Sequence, residues 1–259
     1  MSKEILIIVP CFNEADRLRR NNFMPLLQRA DLALLFVDDG STDGTADYIA
    51  QEFAGFPDSV KLKRLDRNRG KAEAVRVGFN EALAARYRYI GYMDADMSVP
   101  AREMVRLAEI IQAEQLKMVM GSRVALLGSQ IIRKPLRHYL GRIFATAASL
   151  GLALTIYDTQ CGAKIIERCA AIEDAASFPF GSTWAFDVEL IGRLLTPVTA
   201  GVEPVGPQQM KEIPIAGWRD VPGSKLSVFS MLRAGLELLS ISLALRTRKR
   251  RRCEGLSNN

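Results

Sequence analysis

Two uninterrupted apolar runs constrain the fold most: EILIIV at residues 4–9 and LALLFV at residues 32–37. Strands of a parallel sheet are buried on both faces, so their sequences are continuously apolar rather than alternating. Loops and helical patterns separate these runs from further strand candidates, as in a sheet wound with helices. We predict an α/β fold with a mostly parallel central sheet and strands at residues 5–9, 33–37, 60–65, 89–93 and 117–121.

The second half of the chain has a different pattern. From Gly128 it is first basic and then apolar, which predicts one or two helices. Residues 226–245 are nearly all apolar, and on a helix their polar residues form one narrow stripe. The members of that stripe are Ser227, Ser230, Arg233, Glu237 and Ser240.

About twenty apolar residues can span a bilayer, so a membrane helix has to be weighed for residues 226–245. Arg233 near the centre opposes insertion by about 2.5–3.5 kcal/mol. The pattern therefore favours an amphipathic helix that lies in the membrane interface, followed by a basic tail. The alternative is a helix that packs on its own protein and ends in a solvated tail.

The positive charge is concentrated at one end. Six of the 35 basic residues lie at residues 246–252, and the remaining 29 balance the 29 acidic residues. A neutral body argues against nucleic acid as a partner. Four cysteines without a CxxC pair, together with a single histidine, argue against a zinc site or a His-activated nucleophile. We expect reduced thiols and, because no export signal begins the sequence, a cytoplasmic active part.

Acidic or amide side chains follow three of the predicted strands, where an open α/β sheet binds ligands: Asn13 and Glu14 after the first, Asp38 and Asp39 after the second, and Asp94 and Asp96 after the fourth. The Asp38 and Asp39 pair can accept hydrogen bonds from a base or ribose, although a capped turn is the alternative. Asp94 and Asp96 can share a hard divalent cation with diphosphate oxygens and water. Burying so many carboxylates in one crevice would be costly, so the pattern predicts a metal and a polar ligand.

Motifs along nearly the whole chain resemble those of glycosyltransferase family 2, which has the GT-A fold, and within it the dolichyl-phosphate sugar synthases. These motifs are VPCFNEADRL, VDDGSTDGT, NRGKAEAVRVG, MDADMS, GSR at residues 121–123, DTQCGAK at 158–164 and GSKLS at 223–227. The resemblance implies an inverting hexosyltransferase that uses a nucleotide-sugar and a divalent cation, Mg²⁺ or Mn²⁺. DTQCGAK, and WRDVPGSKLS at residues 218–227, resemble the dolichyl-phosphate glucosyltransferases more than the mannosyltransferases. The resemblance therefore favours UDP-glucose over GDP-mannose as the donor.

The resemblance also implies roles for individual residues. The metal ligands are Asp94 and Asp96. The catalytic group comprises Asp96, Arg123, Arg137 and Asp187, with a base role for Asp187 or Glu189 set against capping or acceptor positioning. The donor-binding group comprises Pro10, Phe12, Asn13, Glu14, Val37, Asp38, Asp39, Lys71, Asp94, Ala95, Asp96, Ser98 and Lys225. Because Ser98 stands where the family often has Gln, the identity of the metal stays open.

The expected reaction transfers a hexose to a polyprenyl or dolichyl phosphate by a peripheral enzyme at the cytoplasmic face of a membrane. Residues 1–225 would form the GT-A domain, with the nucleotide-sugar half at 1–122 and the acceptor half at 123–225. Residues 226–259 would form the amphipathic helix and basic tail. The alternatives are a GDP-mannose-dependent enzyme, a family member with a soluble acceptor, and a non-enzymatic nucleotide-sugar binder. The sequence leaves the oligomeric state open.

Overall fold

The computed structural model describes residues 3–124, 127, 130–132, 135–219 and 228–256. Five strands fall where the apolar runs predict them, within two residues at each end. Four further strands come from the second half of the chain. The strands are β1 (Ile5–Cys11), β2 (Leu32–Asp38), β3 (Val60–Arg64), β4 (Tyr89–Met93), β5 (Met118–Ser122), β6 (Gln130–Ile132), β7 (Ala163–Glu167), β8 (Met210–Pro214) and β9 (Gly217–Arg219).

Helices follow most of these strands and cover the sheet. The two longest lie in the second half of the chain, where the apolar stretches predict them. The helices are α1 (Arg20–Leu27), α2 (Thr45–Glu52), α3 (Lys71–Ala84), α4 (Ala101–Ala113), α5 (Pro135–Leu152), α6 (Ala170–Ser177), α7 (Phe186–Leu195) and α8 (Val228–Leu256).

The main sheet has seven strands in the order β3-β2-β1-β4-β7-β5-β8. Neighbouring strands are parallel except around β7, which runs antiparallel to both β4 and β5. The predicted mostly parallel α/β sheet is therefore confirmed. The sequence-based prediction missed β7, which begins with the last two residues of the DTQCGAK motif. A separate two-stranded ribbon pairs β6 with β9.

The sheet separates two hydrophobic clusters. Alternate residues of β1 face opposite sides: Leu6 and Ile8 join one cluster, while Ile5 and Ile7 join the other. The first cluster is completed by α3, α5, α6, α7 and α8, and the second by α1, α2 and α4. Both β1 and β2 are buried on both faces, which accounts for their continuously apolar sequences.

Helix α8 packs against the rest of the protein. Leu238, Ile241 and Leu245 belong to the first cluster, while Leu236 and Leu239 remain exposed. A side chain at Gly151 of α5 or at Gly192 of α7 would collide with Ser242 and Leu245 respectively, so glycine permits both close approaches. Within the described residues, no helix is long and apolar enough to cross a bilayer.

The basic tail continues as the last turns of α8. Arg248 turns back onto the protein, where its guanidinium donates to Asp174 at 2.8 Å and to the Thr196 carbonyl at 3.1 Å. Its neighbours Arg246 and Lys249 are exposed. Arg248 is thus used for packing, whereas Arg246 and Lys249 face solvent.

The cysteines of the described core are free thiols, as expected. Cys11 and Cys161 are buried, and Cys169 is partly exposed. Burial, with a contribution from the Asp158 carboxylate, raises the pKa of Cys161 to about 12. Its thiol therefore stays protonated at neutral pH and serves as a small apolar side chain.

Candidate functional site

The loops that follow β1 and β2 are joined by hydrogen bonds at the carboxyl edge of the sheet. Asn13 has a φ of 53°, its N–H donates to Ser41 Oγ at 2.9 Å, and its Oδ1 accepts from the Thr42 N–H at 2.9 Å. The Glu14 N–H donates to Thr45 Oγ1 at 2.8 Å. An αL backbone is tolerated by Asn more readily than by most residues. These bonds hold Glu14 at the edge of the crevice.

The Asp38 and Asp39 pair organises neighbouring backbone. Asp39 accepts the N–H groups of Arg69 at 2.8 Å and of Gly70 at 2.7 Å, which fixes the loop before α3. Asp38 Oδ1 accepts the Ser41 N–H at 3.0 Å. Both carboxylates are buried, and burial raises the pKa of Asp39 despite the two backbone bonds. Asp38 thus closes a turn but caps no helix, because α2 begins at Thr45 with Gly44 as its N-cap and no side-chain cap.

Three further residues predicted to bind the donor line the same edge. Pro10 of β1 lies opposite Val37 of β2 in the parallel register, and Val37 is fully buried. Phe12, the first residue after β1, is 42% exposed. An exposed aromatic ring beside a polar crevice can stack on a flat ligand.

Asp94 and Asp96 follow β4 in a tight loop. Asp94 forms an ion pair with Lys71 at the start of α3, and Asp96 Oδ1 accepts the Ser98 N–H at 2.9 Å. Ala95 between them is buried. A Cβ on Gly162 would lie 2.0 Å from Asp94 Oδ2, so only glycine leaves room for this carboxylate.

Glu14 brings a third carboxylate toward this loop. Burial raises the pKa of Glu14; Arg17, at 2.7 Å, opposes this rise and the negative charge of Asp96 adds to it. Glu14 Oε2 is buried without a hydrogen-bond partner among the described residues. The acidic residues after β1 and β4 are therefore close enough to interact.

The donor atoms at this loop fit a hard divalent cation. Carboxylate oxygens are the ligands that Mg²⁺ and Mn²⁺ prefer, and Asp94 and Asp96 provide them. In the part of the chain that the structure describes, no three His, Cys, Asp or Glu residues cluster to hold a metal by themselves. A cation bound by the two Asp residues would take its other ligands from phosphate oxygens and water.

A buried charged network lies behind Asp94. Lys164 of β7 is fully buried and donates to Asp187 of α7 at 2.5 Å and to the Cys161 carbonyl at 2.6 Å. The Tyr92 hydroxyl also donates to Asp187. Burial and the Asp187 carboxylate raise the pKa of Tyr92, so the phenol stays protonated. Asp187, a predicted site residue, is thus held from two sides.

Lys71 links this network to the tight loop after β4, residues 94–98, which is the aspartate loop. Burial lowers the pKa of its ammonium, but Asp94 and Asp187 raise it more, and the net shift is upward. The Lys71 Nζ also lies 5.6 Å from the centre of the Phe186 ring. Lys71 therefore carries its positive charge beside the two carboxylates at neutral pH.

The sequence-based prediction missed Lys164 and Tyr92. Lys164 is the last residue of DTQCGAK and occupies a strand that otherwise reads AIIE. A lysine on a strand buried by its neighbours signals a charge partner inside the protein. Nothing in the local sequence around Tyr92 indicated its partner.

Of the predicted cationic site residues Arg123, Arg137 and Lys225, Arg123 is the one whose side chain the structure describes. Arg123, just after β5, makes a bidentate ion pair with Asp158 through Nε at 2.6 Å and Nη2 at 2.8 Å. Burial lowers the pKa of the Arg123 guanidinium, but Asp158 raises it further, and the net shift is upward. Arg137 lies on α5 with its side chain outside the described part, and Lys225 lies outside the described residues.

The Glu189 carboxylate is surrounded by backbone N–H groups and a guanidinium. Its carboxylate accepts the N–H groups of Gly181 at 3.2 Å and Ser182 at 3.0 Å and pairs with Arg193 at 2.6 Å. Arg193 in turn donates to three backbone carbonyls of residues 175–179. These bonds fix the loop before α7, whereas the helix capping considered for Glu189 is not observed, because α7 has Ala185 as its N-cap and no side-chain cap.

Comparison with known proteins gives one consistent result. The family "Glycosyl transferase family 2" matches residues 6–173. Dolichyl-phosphate beta-glucosyltransferase of Dictyostelium discoideum is 31% identical over 86% of this chain and 69% of its own length. The mouse enzyme of the same name, from Mus musculus, is 31% identical over 93% of this chain and 76% of its own length.

A solved structure supports the fold. Glucosyl-3-phosphoglycerate synthase from Mycobacterium tuberculosis, crystallised with Mn²⁺, UDP-glucose and phosphoglyceric acid, has a TM-score of 0.66 to this chain. It is 17% identical and covers 93% of this chain and 80% of the solved one, which shows a shared fold and no more. The expected GT-A fold is confirmed. With the family match over most of its length, the chain belongs to glycosyltransferase family 2.

Proposed function

We propose that the protein is an inverting glucosyltransferase that moves glucose from UDP-glucose to a dolichyl or other polyprenyl phosphate. The observation that carries this proposal is the similarity to dolichyl-phosphate beta-glucosyltransferases, which extends over 86–93% of the chain. Family membership alone would leave the acceptor open, because one fold serves many acceptors.

On the donor side, the fastened loops after β1 and β2 would hold the nucleoside. Asp94 and Asp96 would hold a divalent cation, Mg²⁺ or Mn²⁺, which neutralises charge on the departing diphosphate when bound. Lys71 lies next to Asp94 and would donate to the same diphosphate oxygens. Its salt bridge to Asp94 keeps the ammonium at the correct place before the donor arrives.

On the acceptor side, the nucleophile needs little activation, since a lipid phosphate is already an anion at neutral pH. One of its oxygens would bond to the anomeric carbon as the bond to the nucleoside diphosphate breaks on the opposite face, which inverts that centre. Arg123, held rigidly by Asp158, would orient the phosphate together with Arg137 and Lys225.

The surroundings of Asp187 fit a positioning role better than a base role. Its carboxylate faces Lys164 and Tyr92 and is 3% exposed. A general base must reach the proton that it removes, and this acceptor has none to remove at neutral pH. Asp187 would instead balance the charges of Lys164 and Lys71.

We place the enzyme peripherally at the cytoplasmic face of a membrane, with 1–225 as the transferase domain and 226–259 as the membrane-contacting part. Support comes from six exposed apolar residues on α5, on α8 and in the loop before α7: Ile143, Leu150, Trp184, Leu236, Leu239 and Leu243. Helices α5 and α8 pack against each other, so these side chains can form one apolar surface, and an exposed apolar surface indicates an interaction site. Basic residues follow on α8, as anionic lipid headgroups would require.

The test is transfer of labelled glucose and, in parallel, mannose from UDP-glucose and GDP-mannose to polyprenyl phosphate in detergent. Reactions contain Mg²⁺, Mn²⁺ or a chelator, and compare the wild type with Asp96→Ala. Asp47→Ala, an exposed aspartate on α2, is the matched control. We expect metal-dependent glucosyl lipid from the wild type and Asp47→Ala, and a loss of about 100-fold or more in Asp96→Ala.

Two outcomes would contradict the proposal. Labelled lipid from GDP-mannose alone would change the donor. A labelled soluble acceptor with no labelled lipid from either donor would replace the lipid phosphate with a soluble substrate.

A further inference from the structure

Helix α7 begins without a capping side chain of its own. Its N-cap residue is Ala185, which has no side-chain acceptor for the N–H groups at the helix start. The loop before the helix is held instead by shared bonds: Ser182 Oγ accepts the Ala185 N–H at 2.7 Å, and Oε2 of Glu237 on α8 accepts the Ser182 hydroxyl and the N–H groups of Trp184 and Ala185, the latter two at 3.3 Å. A carboxylate at this end of a helix also interacts favourably with the helix dipole.

The first turn of α7 carries residues that contact Lys71 and Lys164 behind the aspartate loop. Phe186 is the first residue of the helix, and its ring lies against Lys71, the partner of Asp94. Asp187 is the second residue and receives Lys164 and Tyr92. A displacement of this turn would therefore move the groups that hold Lys71.

Glu237 lies between the exposed apolar surface and this turn. Leu236 and Leu239 on either side of it are 68% and 63% exposed, and Leu238 is buried in the core. The Trp184 ring packs edge-on against the Phe144 ring of α5, with 4.9 Å between the two ring centroids. Hydrogen bonds of 3.3 Å are near the upper end of the usual range, so a small shift of α8 would weaken them.

We propose that Glu237 is a positioning residue that couples the seating of α8 on a lipid surface to the placement of Phe186 and Asp187 beside Lys71. The inference rests on the proposed function, because it assumes that the acceptor lies in a membrane. It assigns to α8 a role in the reaction besides attachment.

The kinetic test compares the wild type with Glu237→Leu and Glu237→Gln on polyprenyl phosphate in vesicles. Ser240→Ala, an exposed position on the same helix, is the matched control. Enzyme concentration is counted as UDP-binding sites, so loss of folded protein does not enter kcat. We expect Glu237→Leu to lower kcat about tenfold, as the loss of one charged hydrogen-bond acceptor would, with KM for UDP-glucose unchanged within about twofold. Glu237→Gln keeps an acceptor oxygen and should restore most of kcat.

A second measurement needs no activity. Hydrogen exchange of residues 182–187 should be faster in Glu237→Leu than in the wild type. Vesicles that contain anionic phospholipid should slow this exchange in the wild type but not in Glu237→Leu. Unchanged exchange in Glu237→Leu, or equal slowing by vesicles in both proteins, would overturn the coupling.

The two measurements separate the two proposals. Lipid glucosylation with a wild-type kcat in Glu237→Leu would overturn the role of Glu237 and leave the proposed function intact. The expected exchange pattern without any glucosylated lipid would support the coupling of α8 to α7 and overturn the proposed acceptor.

Discussion

At the scale of single residues, the aspartate loop depends on the glycine at position 162, which has no side chain. Gly162 precedes β7, and its carbonyl accepts the Asp94 N–H at 3.1 Å. A Cβ at Gly162 would lie 2.0 Å from Asp94 Oδ2 and 2.4 Å from Cγ. Real atoms do not approach so closely, so the Asp94 side chain would have to move. The glycine of DTQCGAK is thus needed for the shape of the site, whereas the fold could accept an alanine there.

We therefore expect Gly162→Ala to lower transferase activity at least about tenfold while the midpoint of thermal unfolding falls by only a few degrees. Gly55→Ala is the control, since a Cβ at Gly55 meets nothing within 4 Å. Activity and thermal unfolding are measured on both variants. Wild-type activity in Gly162→Ala would show that the position of Asp94 is not critical.

At the scale of elements, β7 and α7 are joined by the buried pair of Lys164 and Asp187. Both side chains are buried, and Lys164 Nζ lies 2.5 Å from Asp187 Oδ1. Asp187 also accepts from the Tyr92 hydroxyl, and Lys164 also donates to the Cys161 carbonyl. Burying two charges gains little net stability, yet removing one partner leaves the other uncompensated. The pair therefore enforces one arrangement of β4, β7 and α7 behind the aspartate loop.

Lys164→Met should lower the free energy of unfolding by about 3–5 kcal/mol, because the Asp187 charge loses its partner. The double variant Lys164→Met with Asp187→Asn should recover part of this loss, since neither of the two positions then carries a charge. The exposed pair of Lys63 and Glu81, 2.7 Å apart, provides the control: Lys63→Met should cost less than about 1 kcal/mol. Urea unfolding measures all three, and equal losses for Lys164→Met and Lys63→Met would contradict the argument.

At the scale of the whole molecule, α5 and α8 pack against each other and against α7, and both carry exposed apolar residues. The inner face of α8 completes the core, so this helix is part of the folded unit, while its outer leucines remain exposed. Trp184 connects the two helices, because its ring contacts Phe144 of α5 and its N–H bonds to Glu237 of α8. The same helix thus contributes to both folding and the proposed membrane contact.

We expect the protein to bind vesicles that contain anionic lipid and to bind less tightly at high salt, which screens the basic end of α8. Leu239→Gln with Leu243→Gln should weaken binding about 10-fold or more, because both side chains lose a favourable transfer into the lipid interface. Leu62→Gln, an exposed leucine of edge strand β3, should bind like the wild type. Vesicle sedimentation measures this, and binding insensitive to both salt and the α8 leucines would exclude this surface.

The sequence by itself determined the first half of the fold and the nature of the site. Continuously apolar strands can be buried only between two layers of helices, and polar residues at their carboxyl ends must meet at one edge. Asp94, Asp96 and Glu14 could therefore be predicted as neighbours from local patterns. The motifs also predicted the family, because their order spans nearly the whole chain.

Only the tertiary structure decided which distant residues meet. The antiparallel strand β7 places Lys164 behind the aspartate loop, and this pairing has no signal in the local sequence of β4 or α7. Glu237, part of a polar stripe that could equally face water, is directed toward the loop before α7, where it accepts from Ser182, Trp184 and Ala185. Local sequence sets which groups require partners, whereas the packing of α8 and β7 across the sheet decides which partners they find.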